Sequence, residues 1–310
     1  MRRDALGAGL TAVCLWGLAP VATRAAVGHI SPLPLLLIRL AAASLVLLPW
    51  ALPVFRRLRP RSARRLAAAG LLGLVGYNLP VTAGLRWLPA STAGLLLATE
   101  PVWVLLLGRV FLGERGGARA WLGSAVALAG VAVLTVPDAA GGAAGGADGA
   151  GGYRALAGAG LVLAATLSFA AYTIVVTPLG TEFGAVPATA ASTVVGSVPY
   201  LAAAGTLPGA GLAHLGPAVW AELAFLALGS TAAGLLLWNV AVLAGGVSRV
   251  SMLLYLEPAV SVAGAAVFLG ERVTAVMTGG GLLILAGVAV ASVRRAPANP
   301  RDSGQSAPAA

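Results

Sequence analysis

Ten stretches of this 310-residue chain are almost free of charge, run for eighteen to twenty-five residues, and end at or near an arginine, a proline or a glycine. An α-helix rises about 1.5 Å per residue, so about 20 residues carry it across a hydrocarbon layer of about 30 Å. Within that layer the backbone has no water to bond, and a helix satisfies its own N–H and C=O groups. The runs are 6–23, 33–52, 66–85, 91–112 and 118–136, then 156–177, 186–207, 219–243, 247–269 and 276–293. Composition agrees with a bilayer as the solvent. The chain is 59% hydrophobic and 10% charged, with a mean hydropathy of +0.92, whereas about a quarter of a soluble domain is charged. A basic start and small residues at Ala25-Ala26 are also signal-peptide features. Trp16 and Pro20 interrupt the run, however, and many spans follow, so the reading is a first span.

Between the fifth and sixth runs, Pro137–Gly152 is rich in Gly and Ala and has no apolar period, which predicts a flexible connector. The expected organisation is a five-helix repeat over 1–136, a linker over 137–154, a second five-helix repeat over 155–293, and a disordered tail over 294–310. The repetition is written in the residues. Leu96-Leu97-Ala98-Thr99-Glu100-Pro101 and Phe111-Leu112-Gly113-Glu114-Arg115 return 157 positions later as Leu253-Leu254-Tyr255-Leu256-Glu257-Pro258 and Phe268-Leu269-Gly270-Glu271-Arg272. Over 91–135 against 248–292, 19 of 45 pairs are identical, where composition alone would match about one in ten.

All twenty basic residues are arginine, and the net charge is +10. With the N-terminus in the cytoplasm, fifteen arginines fall on the cytoplasmic side, four on the other, and Arg39 inside a span. That bias predicts both termini in the cytoplasm, a multi-pass protein of the inner or plasma membrane, and contact with anionic lipid rather than nucleic acid. An odd number of spans per half turns the second repeat upside down relative to the first. The expected fold class is therefore an all-α integral membrane protein with ten transmembrane helices as two inverted five-helix repeats, the form of many secondary carriers, with the substrate near the midplane.

Two carboxylates stand out. Glu100 is roughly 14 Å into its span and Glu257 is at the matching depth. Intramembrane carboxylates are costly and mark substrate or proton paths, or tie broken helices. Both readings stay open for this pair. Pro101 and Pro258 are hinge candidates, since an interior proline removes a donor and frees the carbonyls of Leu97 and Leu254. Arg39 can bind a substrate carboxylate, pair with a glutamate, or snorkel. Trp16, Tyr77, Asn78, Trp103, Tyr172, Asn239 and Tyr255 lie inside spans and are candidate cavity lining or packing.

Other features read as structural. Trp50, Trp87, Trp121 and Trp220 suit an interfacial belt. Gly123 and Gly130, with Gly280 and Gly287, recur seven apart and suit close packing within the monomer or at a homodimer seam. Glu114 and Glu271 read as solvated residues setting a turn. Cys14 reads as a small core residue. His29 and His214 fall in loops without metal-ligand neighbours.

Ten spans in two halves, each carrying Glu-Pro in its fourth helix and Phe-Leu-Gly-Glu-Arg at that helix's end, resemble the drug/metabolite transporter superfamily, and within it the EamA-type transporters. The resemblance covers residues 5–293. Trp16-Gly17 is similar to the family's first-helix pattern, and its counterpart Phe169-Ala170 departs from it. Members move amino acids, nucleosides, other metabolites or toxic cations, commonly outward, so the resemblance implies a secondary transporter of a small solute and no enzyme. The alternatives are a membrane-embedded enzyme, for which no Asp or His falls inside any span, and a non-transporting membrane partner, for which no soluble input domain is visible. A Walker-type nucleotide loop is impossible without lysine, and no metal or other cofactor is expected.

Overall fold

The computed structural model describes residues 3–112, 118–140, 150–204, 214–245 and 251–292, and among them the chain is helix and turn without a strand. α1 (Arg3–Gly17) and α2 (Ala19–Ala26) make one span with a wrinkle at Leu18. Pro20 sits in the first turn of α2, and Leu18 N–H to Cys14 O and Ala22 N–H to Leu18 O carry the helix across. α3 (Pro32–Arg56) follows, then α4 (Pro60–Gly70), a π-helical turn (Leu71–Val75) and α5 (Gly76–Gly84) as one rod. After α6 (Ala90–Leu97), α7 (Glu100–Leu112) and α8 (Ala118–Ala140) come the long α9 (Ala150–Phe183) and α10 (Ala185–Ala203). α11 (Pro217–Ala224), a second π-helical turn (Phe225–Ala233) and α12 (Gly234–Gly245) form another rod. A 3₁₀ segment (Ser251–Leu256), α13 (Glu257–Leu269) and α14 (Ala275–Ser292) complete the described chain.

Six helical stretches are long and apolar enough to cross a membrane: Leu6–Ala26, Pro32–Arg56, Pro60–Gly84, Gly152–Phe183, Ala185–Ala203 and Pro217–Ala241. Trp121–Leu134, Glu257–Leu269 and Ala275–Val290 are shorter apolar helices. The fourth and ninth expected runs are each broken in the middle. Helix extends into both ends of the expected connector, to Ala140 and from Ala150, and the residues between lie outside the described ones, as does the tail.

Helices from the two ends of the chain pair crosswise: α8 with α14, α3 with α10, α1 with α12, α5 with α9, and α6 with α13. In lipid there is little hydrophobic gain between helices, so close van der Waals contact has to hold them. Small residues permit it. A Cβ on Gly130 would fall 2.7 Å from the Gly280 carbonyl oxygen, and one on Gly287 would fall 2.5 Å from the Gly123 carbonyl oxygen. The glycine stripe is thus used between α8 and α14 of the same chain rather than offered to a second copy. Gly70 and Gly196 make a comparable approach between α4 and α10. Leu35, Leu36 and Leu40 of α3 pack with Leu74, Tyr200, Leu223 and Leu226 in one buried cluster. The outer surface is apolar, with Leu45, Val110, Val267 and Phe268 at 70–76% exposure, and the four belt tryptophans are all exposed. Cys14 is exposed on α1 rather than in the core, because that face of the helix meets no neighbour.

Candidate functional site

The break in the fourth run is made locally. Ala98 and Thr99 donate to Leu95 O and Leu96 O, three residues back, and Thr99 Oγ1 also donates to Leu96 O at 2.7 Å. These tight bonds end α6, and α7 starts at Glu100 with Pro101 next. The ninth run repeats the device: the 3₁₀ turn ends at Leu256, and α13 opens on Glu257-Pro258. A proline in the first turn costs no hydrogen bond, since the first amides of a helix have no acceptor within it. So the two prolines open new helices rather than bend continuous ones. Each glutamate occupies the first turn of a half-helix, where the helix dipole favours negative charge.

Glu100 and Glu257 lie deep in the bundle within electrostatic reach of each other, and both act on Tyr77 of α5. Arg39 of α3 is likewise within electrostatic reach of Tyr77 and of Tyr200 of α10. Both carboxylates are only partly buried, and neither accepts a hydrogen bond among the described residues. The sealed, unpartnered side-chain atoms among the described residues are Ser44 Oγ, Trp103 Nε1 and Glu222 Oε2. Arg39 Nε donates to Thr231 Oγ1 at 3.0 Å, and Thr231 donates onward to Leu226 O at 2.8 Å.

Aromatic rings flank these groups. Trp16 lies 5.3 Å from Trp238 and donates Nε1 to Ser230 O at 2.9 Å. Tyr77 lies 5.0 Å from Phe169, which lies 5.2 Å from Tyr172. Tyr172 is buried, with its hydroxyl 3.4 Å from Ser192 Oγ. Asn78 and Asn239 are buried and donate to their own helices, at Gly73 O and Leu235 O. Trp103 is partly buried beside no hydrogen-bond acceptor. The side chain of Tyr255 lies outside the described residues. Thus Glu100, Glu257, Arg39, Tyr77 and Trp16 gather toward the interior, while the two asparagines and Tyr172 serve neighbouring backbone and side chains.

Sequence reasoning missed several members. Ser168 Oγ donates to Leu72 O at 2.9 Å and Tyr200 Oη to Leu74 O at 3.2 Å, so both end on the first π turn, as Trp16 and Arg39 end on the second. No local pattern marks a π turn. Glu271 is the clearest correction. It is partly buried, and its carboxylate accepts from Ala90 N at 2.7 Å, Ser91 N at 3.0 Å and the Ser91 hydroxyl, capping α6. Gly270 makes this reach available: at φ +64° it ends α13 in the left-handed region, with Glu271 N–H donating to Ala265 O. Arg24 Nη1 donates to Leu85 O and Arg86 O at the preceding helix end. Two concavities lie away from the carboxylates, about 360 Å³ beside Arg24 and Glu271 and about 310 Å³ beside Arg57, Arg59 and Glu182.

The EamA-like transporter family matches residues 5–136 and 156–293. A Streptantibioticus cattleyicolor protein named "Probable terminal-alkyne amino-acid exporter" is 34% identical over 280 residues, 89% of each chain. A Salmonella typhimurium protein named "Probable amino-acid metabolite efflux pump" is 28% identical over 90% of this chain and 91% of its own. A solved crystal structure superposes with a TM-score of 0.62 at 21% identity, covering 94% of this chain and 97% of that one, and speaks to the fold alone. With its multiple apolar helices, the chain is a multi-pass membrane transporter rather than an enzyme, and it belongs to the EamA-like transporter family.

Proposed function

We propose that the protein is a secondary carrier that exports a small amino-acid-like metabolite across the cytoplasmic membrane by alternating access. Its ten spans form two inverted five-helix halves with both termini in the cytoplasm. The observation that carries this reading is the pair of broken helices, which bring Glu100 and Glu257 to the interior, each in the first turn of a half-helix and neither with a hydrogen-bond donor among the described residues. Discontinuous helices at mid-depth are where carriers of this build hold substrate and coupling ion. The crosswise pairing supports the inverted arrangement, since exchanging the two halves maps each helix pair onto another or onto itself. The substrate class draws on the names of the two relatives above.

Flux by purified protein in liposomes tests the reading, with a panel of amino acids, nucleosides and organic cations and with and without a pH gradient. Wild type moves at least one amino-acid-like solute, gradient-dependently, and Glu100→Gln or Glu257→Gln reduces the rate at least about tenfold in folded protein. Flux unaltered by both substitutions would make the carboxylates structural.

A further inference from the structure

The chain contains its own control for Arg39. α3 and α10 run along each other, and each carries a proline five residues before the position in question: Pro34 before Arg39, Pro187 before Ser192. This register, 153 residues, also aligns Trp16-Gly17 with Phe169-Ala170. Ser192 is fully buried and donates Oγ to Thr189 O of its own helix at 2.9 Å. A small hydroxyl therefore satisfies this point of the fold. The residue that receives Arg39 also differs between the halves. α4 and α11 start at Pro60 and Pro217, 157 residues apart, and in that register Thr231 stands opposite Leu74. Neither member of the Arg39–Thr231 contact has its like in the other half.

A guanidinium in a membrane interior is costly, and packing does not account for this one. Nε is engaged, and among the described residues Nη1 and Nη2 have no protein acceptor. Tyr77 and Tyr200 act on Arg39, and Tyr77 is also within electrostatic reach of Glu100 and Glu257. Guanidinium N–H groups and carboxylates that have no hydrogen-bond partner among the described residues are thus both within electrostatic reach of Tyr77. Both are complementary to a zwitterion.

Resting on the carrier reading above, we infer that the transported solute carries a carboxylate and that Nη1 and Nη2 of Arg39 receive it as a bidentate pair. Thr231 orients the guanidinium through Nε, and the cationic end of the solute faces Glu100 and Glu257. The planar fork matches a carboxylate in a way that a lysine ammonium does not.

The test is equilibrium binding to detergent-purified protein, read by tryptophan fluorescence, alongside liposome flux, with leucine, leucinamide and isopentylamine as matched probes. Wild type binds leucine at least about tenfold more tightly than leucinamide, the range of a hydrogen bond to a charged group. Arg39→Lys weakens leucine about tenfold. Arg39→Ser/Thr231→Leu, which rebuilds the pair used in the other half, stays monodisperse and brings the leucine-to-leucinamide ratio close to one. The inference is overturned if wild type binds leucinamide or isopentylamine as tightly as leucine, if it binds no carboxylate probe, or if the double variant keeps the wild-type ratio. Absent flux with the binding ratios as expected would overturn the carrier reading and leave Arg39 as a carboxylate site.

Discussion

Glu271 closes α6 from a different helix, about 180 residues away in the chain. Pro89, the residue before α6, offers no side-chain cap, so the carboxylate supplies the acceptors that the first amides lack. Glu271→Ala is expected to cost about 1–2 kcal/mol and Glu271→Gln about half of that, since the amide keeps one acceptor oxygen but loses the charge. Thermal unfolding of the detergent-purified variants checks this, and midpoints equal to wild type would mean that water caps α6 equally well. The sequence placed the acidic residue beside a glycine at a helix end, which ordinarily means solvent. Its partners come from the far end of another span, and no local spacing could reveal them. Glu100, Glu257 and Arg39 were legible for the opposite reason: a charge inside an apolar run is conspicuous whatever surrounds it.

Among the elements, α8 and α14 depend most directly on missing side chains. A Cβ on Gly287 would meet backbone, the Ala127 amide and the Gly123 carbonyl, whereas one on Gly280 would press first on the Leu134 side chain, 2.7 Å from Cγ, and lie 3.1 Å from the Gly130 carbonyl oxygen. Backbone cannot move aside as a leucine rotamer can. Gly287→Ala is therefore expected to destabilise by about 2–3 kcal/mol and Gly280→Ala by about 1 kcal/mol or less, read as a larger loss of monodisperse protein and of unfolding midpoint in the first. Equal losses would show that the pair is not locked by backbone contact. The seven-residue glycine spacing was visible in the sequence, but the partner face was not. The π turns were not legible at all. One sits between α4 and α5 and the other between α11 and α12, and their carbonyls accept from Ser168, Tyr200 and Trp16 on other helices. A wide turn of this kind is stabilised by donors that only the assembled bundle supplies.

For the whole molecule, the arginine distribution makes a prediction about orientation. In a Cys14→Ser background, an impermeant thiol reagent should label Arg86→Cys in intact cells and Arg57→Cys only after permeabilisation, by the positive-inside rule. The reverse pattern would invert the topology. Length and hydropathy alone determined that this chain is helical and lives in a bilayer, because continuous apolar runs of about 20 residues match a helix that satisfies its own backbone, where barrel strands are about half as long and alternate. The doubled Glu-Pro and Phe-Leu-Gly-Glu-Arg words likewise determined where the family resemblance would fall. Tertiary structure decided the rest. It broke the fourth and ninth runs at the glutamates, turned Glu271 into a cap, used the glycine stripe within one chain, and set Arg39 Nε on Thr231 of a helix far along the chain. Those outcomes turn on which side chains meet across helices far apart in sequence, and hydrophobic periodicity carries no record of a partner.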